Sequence, residues 1–246
     1  LEFFERLISY QNRPSSRYRG MAFAAIAEFD ALLDYIFKTP RFLQAEEALE
    51  RKKLDAYFPS SDMSERNQFS RRARAGSEFG KIFFKFPVFL TTSNLLIATS
   101  LLEHHLVQLV EEHSRQLGVE VGAHVGVAKA IRNISAWVPE FKNNMLLEPV
   151  DSAIKIRNRL VHDGGRLTNT ARCDEVRSIV LRKTHISAFH RQRWVEQGFG
   201  DEMVFIASLN GCDWIRMDKD YAFHATAYFR DFYLSACMAL DPVDPP

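Results

Sequence analysis

Apolar side chains return at helical spacing through most of the chain. From 17 to 38, "RYRGMAFAAIAEFDALLDYIFK", Phe23, Ile26, Phe29 or Asp30, Leu33 and Phe37 recur every three or four positions and predict an amphipathic helix. Pro40 stops it, and "RFLQAEEALERKKLDAYF" predicts a second, more charged helix. Pro59 and the Ser-Ser-Asp after it break the chain. Asp62 is placed to cap "MSERNQFSRRARA", which reads as a short basic helix or a loop. "GKIFFKFPVF", with Gly80 before it and Pro87 within, fits a strand or a leading loop. Between 92 and 117, Leu95, Leu102, Leu106, Leu109 and Leu117 predict a helix that Gly118 ends.

"VGAHVGVAKAIRNISAWV" is a weaker helix, because its early glycines are costly in a helix interior, and Pro139 closes it. Residues 147–163, "LEPVDSAIKIRNRLVHD", open with an acid and Pro149, as a helix N-terminus should. Val150, Ile154 and Val161 mark one apolar side, which Ile156 and Leu160 widen. Gly164 and Gly165 supply the stop. The pattern then changes. Over 178–217, "ISAF" and "MVFIASL" are β-branched and aromatic, with "EQGFGDE" between them as a turn region, and predict a small antiparallel hairpin or sheet. Residues 218–240 form a last helix, with Phe223, Phe229 and Tyr233 partly on its core side, and "DPVDPP" is a tail. The expected fold is mainly α: one domain over 1–246, a helical bundle spanning about 17–165 and 218–240, with a β insertion at about 178–217.

Composition narrows the setting. The 246 residues are 46% hydrophobic, enough for a sizeable core. The formal net charge is +1, so the global field neither attracts nor repels nucleic acid strongly. Charge is uneven, however: Asp151 to Arg193 holds ten Lys and Arg against four Asp and Glu. Cys173, Cys212 and Cys237 are scattered, with no paired spacing, which argues against a disulfide framework or structural zinc and suits a reducing, cytoplasmic compartment. The chain begins at Leu1 and shows no signal-peptide pattern. The longest apolar run, "FPVFLTTSNLLIATSLL", is short and hydroxyl-rich for a membrane span and reads as a core element.

Candidate chemistry concentrates in "IKIRNRLVHDGG", residues 154–165. Cations in a last helical turn oppose its negative end, and glycine beyond it accepts positive φ, so helix-end physics accounts for Arg157, Arg159, His162 and Gly164 without function. A chemical reading also fits. Asn158 and His162 are four apart and share a face. Arg157 points roughly 140° from His162, at about 100° per residue, yet has a long arm. Together they offer a guanidinium fork, an amide and a group that titrates near neutrality to one phosphate.

"IRNRLVH" resembles the signature of the HEPN superfamily (higher eukaryotes and prokaryotes nucleotide-binding). That signature is Arg, four to six residues, then His, often with Asn after the Arg. Arg157, Asn158 and His162 match it; Arg159, three before the His, does not. The resemblance covers the helices around 89–165 and the last helix. It implies a helical bundle with the motif near the end of a late helix. It further implies a metal-independent, cofactor-free endoribonuclease of a prokaryotic toxin–antitoxin or antiviral defence system, dimerising so that two motifs face one cleft. Some members carry Tyr two residues after the His, where this chain has Gly164, and the β insertion lies outside the minimal fold. Other members bind or scaffold without cutting, so a non-catalytic dimerisation or nucleotide-binding module is the alternative. On the ribonuclease reading Arg157, Asn158 and His162 are catalytic, and an antitoxin or defence-system protein is a partner beside RNA and a second copy.

Other polar clusters are ordinary by comparison. The resemblance makes Glu103 or His104, in "LLEHHLVQLV", candidate polar partners for His162, although a solvated helix face is the better account of them. His104, His105 and His113 lack the spacing for a metal. "HISAFHRQRW" and "RNQFSRRARA" interleave bases with aromatics. Arg159, Arg191, Arg193 and Trp194 are accordingly candidate RNA contacts, with solvated strand and core aromatics as the competing account.

Overall fold

In the computed structural model of the chain, the apolar stripes of the helices converge on the last one. The structure describes residues 5, 8–10, 17–62, 64–120, 126–168, 170–197, 203–209 and 211–241; the side chains at 193–195, 197, 209 and 219 lie outside that description. The first long helix, α1 (Arg19–Tyr57), runs straight through Pro40. An interior proline removes one backbone hydrogen bond and crowds the preceding turn, at a cost of about 3 kcal/mol. Burial on both sides outweighs this: Phe29, Leu32, Leu33 and Ile36 before it, Leu54 after it. The two helices predicted from Pro40 are therefore one. Its buried stripe is also rotated from the predicted one. Ala22, Ala25 and Phe29 face inward, whereas Phe23 and Phe37 are exposed.

Helix α2 (Glu65–Gly80) is capped by Ser64, whose hydroxyl accepts from Asn67 N at 3.3 Å; Asp62 instead accepts from Ser64 N at 3.0 Å. No α2 side chain is buried, and the helix is tied to α1 through Arg71–Asp55 at 2.6 Å and Arg74–Glu50 at 3.2 Å. A π-helical turn at Lys81–Lys85 leads directly into α3 (Phe86–Leu117). "GKIFFKFPVF" is thus helical, neither strand nor loop. Pro87 sits in the first turn of α3, directly after the π-helical turn that ends with Phe86 N–H on Lys81 O. The continuous 65–117 run is apolar and long enough to cross a membrane, by length and composition only; a third of its most apolar window is buried. The buried part is the core stripe Leu95, Ala98, Leu102, Leu106 and Leu109; Leu117 is exposed.

Helix α4 (Val127–Trp137) and a 3-10 turn (Pro139–Asn143) lead to α5 (Leu147–Asp163), whose limits match its predicted span. Pro149, Val150, Ala153 and Ile156 form its buried seam, so Val161, predicted on that side, is exposed. Strand β1 (Arg166–Leu167) follows at once, then α6 (Ala171–Arg182) and α7 (Ala188–Gln197). Here the expected β insertion is too long. "ISAF" enters α7 rather than a strand, because Ser187 Oγ accepts from His190 N at 3.3 Å and starts the helix. Only β2 (Val204–Leu209) and β3 (Cys212–Met217) form the hairpin, pairing from Val204↔Met217 to Leu209↔Cys212. Strand β1 adds to the other edge of β3, Arg166 opposite Trp214, giving the antiparallel order β1-β3-β2. Helix α8 (Lys219–Leu240) then packs between α1 and α3, with Tyr221, Phe229, Phe232 and Tyr233 fully buried. Helix α5 rests on α3 and α8, and β3 on α3. The sheet is thereby held beside the end of α5.

Candidate phosphate-binding groove at the end of helix α5

Two left-handed glycines close α5. Gly164 and Gly165 have φ of 58° and 86°. Gly165 N–H donates back to Arg159 O at 3.2 Å, and Gly165 O accepts from Ile215 N at 2.8 Å. A Cβ at Gly165 would lie 3.2 Å from Leu160 Cδ2 and 3.4 Å from Ile215 O, whereas one at Gly164 would meet nothing within 4 Å. Gly165 is where α5 meets β3, and only glycine fits both its φ and its neighbours. The chain then turns into β1, and Thr170 caps α6 by accepting from Cys173 N at 3.4 Å.

This turn sets the end of α5 against the start of α6, and a groove of about 250 Å³ lies between them. Lys155, Asn158, Arg159 and His162 line it from α5, and Arg172 and Glu175 from α6. The four α5 residues fall within one face at about 100° per residue. Asn158 and His162 therefore share a face, as their spacing predicts. Arg157 is not in this lining. Its Nη1 donates to Asn158 Oδ1 at 3.0 Å, and its Nε is buried without a hydrogen-bond partner. Arg157 thus reaches the groove through Asn158.

The cations divide by occupation. Lys155 bridges Asp151 at 2.6 Å and Glu175 at 2.7 Å; burial pushes its ammonium pKa down, but these two carboxylates outweigh that and raise it. Arg159 pairs with Asp163 and donates to Cys173 Sγ at 3.7 Å. Burial pushes the Cys173 thiol up, yet hydrogen bonds with Thr170, Thr168 and Arg159 together hold it below its usual value. Arg157, His162 and Arg172 have no acidic partner among the described residues, and His162 is exposed.

The other proposed site residues lie elsewhere. Glu103 is exposed on α3, its carboxylate 3.5 Å from where a Cβ on Gly126 would stand. His104 is exposed, with its ring 5.3 Å from that of His105. Neither lines the groove. His105 is buried, and its Nε2 lies 3.2 Å from Glu28 Oε2. Arg191 donates to Arg182 O at 3.2 Å and to Lys183 O at 3.0 Å, closing the C-terminus of α6, where helix carbonyls lack partners. The side chains of Arg193 and Trp194 lie outside the described residues. Sequence reasoning missed Arg172 and Lys155. Arg172 stands two residues after the capping threonine in "TNTARCDEV", a signal that it occupies a helix first turn but not that this turn faces α5. Among the described residues, no group of three His, Cys, Asp or Glu is arranged to hold a metal. Compared with known proteins, the chain matches no family model, no curated protein and no solved structure.

Proposed function

We propose that the chain is a metal-independent endoribonuclease of HEPN type, acting in prokaryotic defence or as a toxin, with the α5–α6 groove as its phosphate site. The observation that carries this reading is the exposed, unpaired His162 sharing an open groove with Asn158 and the unpaired Arg172. A histidine and a guanidinium without acidic partners, set beside an amide in one open groove, suit phosphodiester chemistry. In the proposed reaction the RNA 2′-oxygen loses its proton and attacks the adjacent phosphorus. The bond to the 5′-oxygen breaks, and that oxygen takes up a proton. The products are a 2′,3′-cyclic phosphate and a 5′-hydroxyl. His162 serves one of the two proton transfers. Arg157 or Arg172 steadies the charge on the phosphoryl oxygens. A second copy, bringing its own His162, supplies the other transfer.

The test is RNA cleavage by the purified full chain with EDTA present. Expected are cyclic-phosphate ends, intact DNA, and a loss on the order of 10²–10⁴-fold in His162→Ala, the usual weight of a positioned acid or base. Cleavage that survives His162→Ala refutes the assignment. One observation favours the alternative of a non-catalytic binding module: Arg157 is turned onto Asn158 rather than into the groove. That reading expects RNA or nucleotide binding with no cleavage.

A further inference from the structure

A second cavity, of about 330 Å³, opens on the opposite side of the same helix end. Its floor is apolar, made by Leu160 of α5 and by Ile215 and Met217 of β3. Phe89 of α3, 62% exposed, forms one wall. Polar groups sit at the edge. The Thr92 and Ser93 hydroxyls have no hydrogen-bond partner among the described residues. Arg216 has no acidic partner there, its guanidinium lying 5.9 Å from the Trp214 ring centre. A concave apolar slot with a few uncommitted polar groups is the usual build of a small-ligand site, and the volume is at the lower end of that range.

We infer that this cavity takes the base of an RNA nucleotide whose phosphate continues round the helix end into the α5–α6 groove. The ligand's identity as RNA rests on the ribonuclease reading; its chemistry rests on the cavity. A flat heterocycle covers the exposed face of Phe89, as bases do on aromatic side chains. Its edge meets the Thr92 and Ser93 hydroxyls. The position of Arg157 then has a use. It lies three residues before Leu160 and seven before Gly164, on the side of α5 that faces the cavity, while its guanidinium touches Asn158 of the groove. It stands between the two sites, where the connecting phosphate passes. The small sheet acquires a role as well: β3, fastened to Gly165, is the cavity's floor.

The test is calorimetric titration of the full chain with the four nucleoside 3′-monophosphates, with ribose 5-phosphate as the base-free control. At least one nucleotide should bind about tenfold or more tighter than the control, within the range that stacking on one aromatic supplies. Phe89→Ala, an exposed position whose loss leaves the core intact, should bring that ratio close to one. A ratio near one in the unsubstituted chain, or one that Phe89→Ala does not alter, overturns the inference. RNA cleavage in EDTA by the same preparation separates the two readings. Cleavage with a ratio near one refutes the base site alone; a base-dependent ratio without cleavage refutes the ribonuclease and leaves the base site standing.

Discussion

Replacing each of the adjacent glycines by alanine measures how tightly the end of α5 is clamped to the sheet. Both have positive φ, so each alanine incurs the left-handed penalty of about 1–2 kcal/mol. Each also gains a few tenths to 1 kcal/mol because the unfolded chain loses freedom. These contributions are similar at the two sites and cancel in the difference. What remains is the surroundings. The Gly164 methyl enters open space, but the Gly165 methyl comes within 3.2 Å of Leu160 Cδ2 and 3.4 Å of a backbone oxygen, Ile215 O. The leucine can rotate; the carbonyl belongs to a paired strand and cannot easily yield. Relief requires α5 and β3 to separate, which weakens the 2.8 Å Ile215 N–H to Gly165 O hydrogen bond, worth about 1 kcal/mol. Gly164→Ala should therefore cost about 1 kcal/mol and Gly165→Ala about 2–3 kcal/mol. In a chain of 246 residues that is a melting-temperature drop of roughly 2–4 °C against 4–12 °C by differential scanning calorimetry. Equal losses at the two positions would show that Gly165 is not pressed against β3, and the floor of the cavity would lose its anchor.

Three further outcomes follow from the same geometry. His185 is almost wholly buried and burial pushes its pKa down to about 4, so the folded chain resists a proton that the unfolded chain accepts near 6.5; stability should be full above that value and fall as pH drops towards 4, by up to about 3 kcal/mol. Urea melts at pH 7 and pH 4.5 should show the loss, and His185→Phe should shrink it; an unchanged slope in that variant rules His185 out as the source. Pro40→Ala should raise stability by about 1–3 kcal/mol in the same melts, because the helix already passes through this position without its N–H. Arg172→Ala should weaken RNA binding and lower its log-salt slope by about one, whereas Arg191→Ala should cost about 1 kcal/mol of stability and leave the slope alone; the reverse pattern would exchange their roles.

The sequence announced helices well where one apolar stripe dominates. The limits of α5 and the leucine stripe of α3 were both legible, since Gly164 and Gly118 mark their ends by conformation alone. It misled where a local signal was outweighed by tertiary packing. Pro40 reads as a stop, and only the burial of Ile36 and Leu54 on either side of it shows that the helix continues. "ISAF" reads as strand until Ser187 is seen capping α7. Which side of α1 is inside was likewise hidden, because Phe23 and Phe37 make an outward stripe as strong as the inward one. For the site, Asn158 and His162 were readable from their spacing, but Arg172 was not, because nothing local says that α6 folds back onto α5.

The two accounts of "IKIRNRLVHDGG", helix-end electrostatics and chemistry, do not compete once each cation is followed to its partner. Structural work falls to a definite subset. Arg159 is committed to Asp163 and Cys173, Lys155 to Asp151 and Glu175, and, further on, Arg191 to the open carbonyls of α6. These would be retained in a protein with no activity at all. Arg157, His162 and Arg172 are different. No carboxylate answers them among the described residues, and Arg172 stands in the first turn of α6, where helix-end electrostatics does not favour a cation. Arg172 opens on the groove and Arg157 stands behind it on Asn158, two guanidinium groups with no carboxylate to offset them, a cost that an arriving phosphate removes. Neutralising either arginine should then stabilise the free chain slightly and, on the ribonuclease reading, weaken RNA binding. Double substitution of Arg157 and Arg172 by Gln is the sharpest form of that trade. A variant both less stable and unchanged in RNA affinity would return these residues to ordinary helix-end electrostatics.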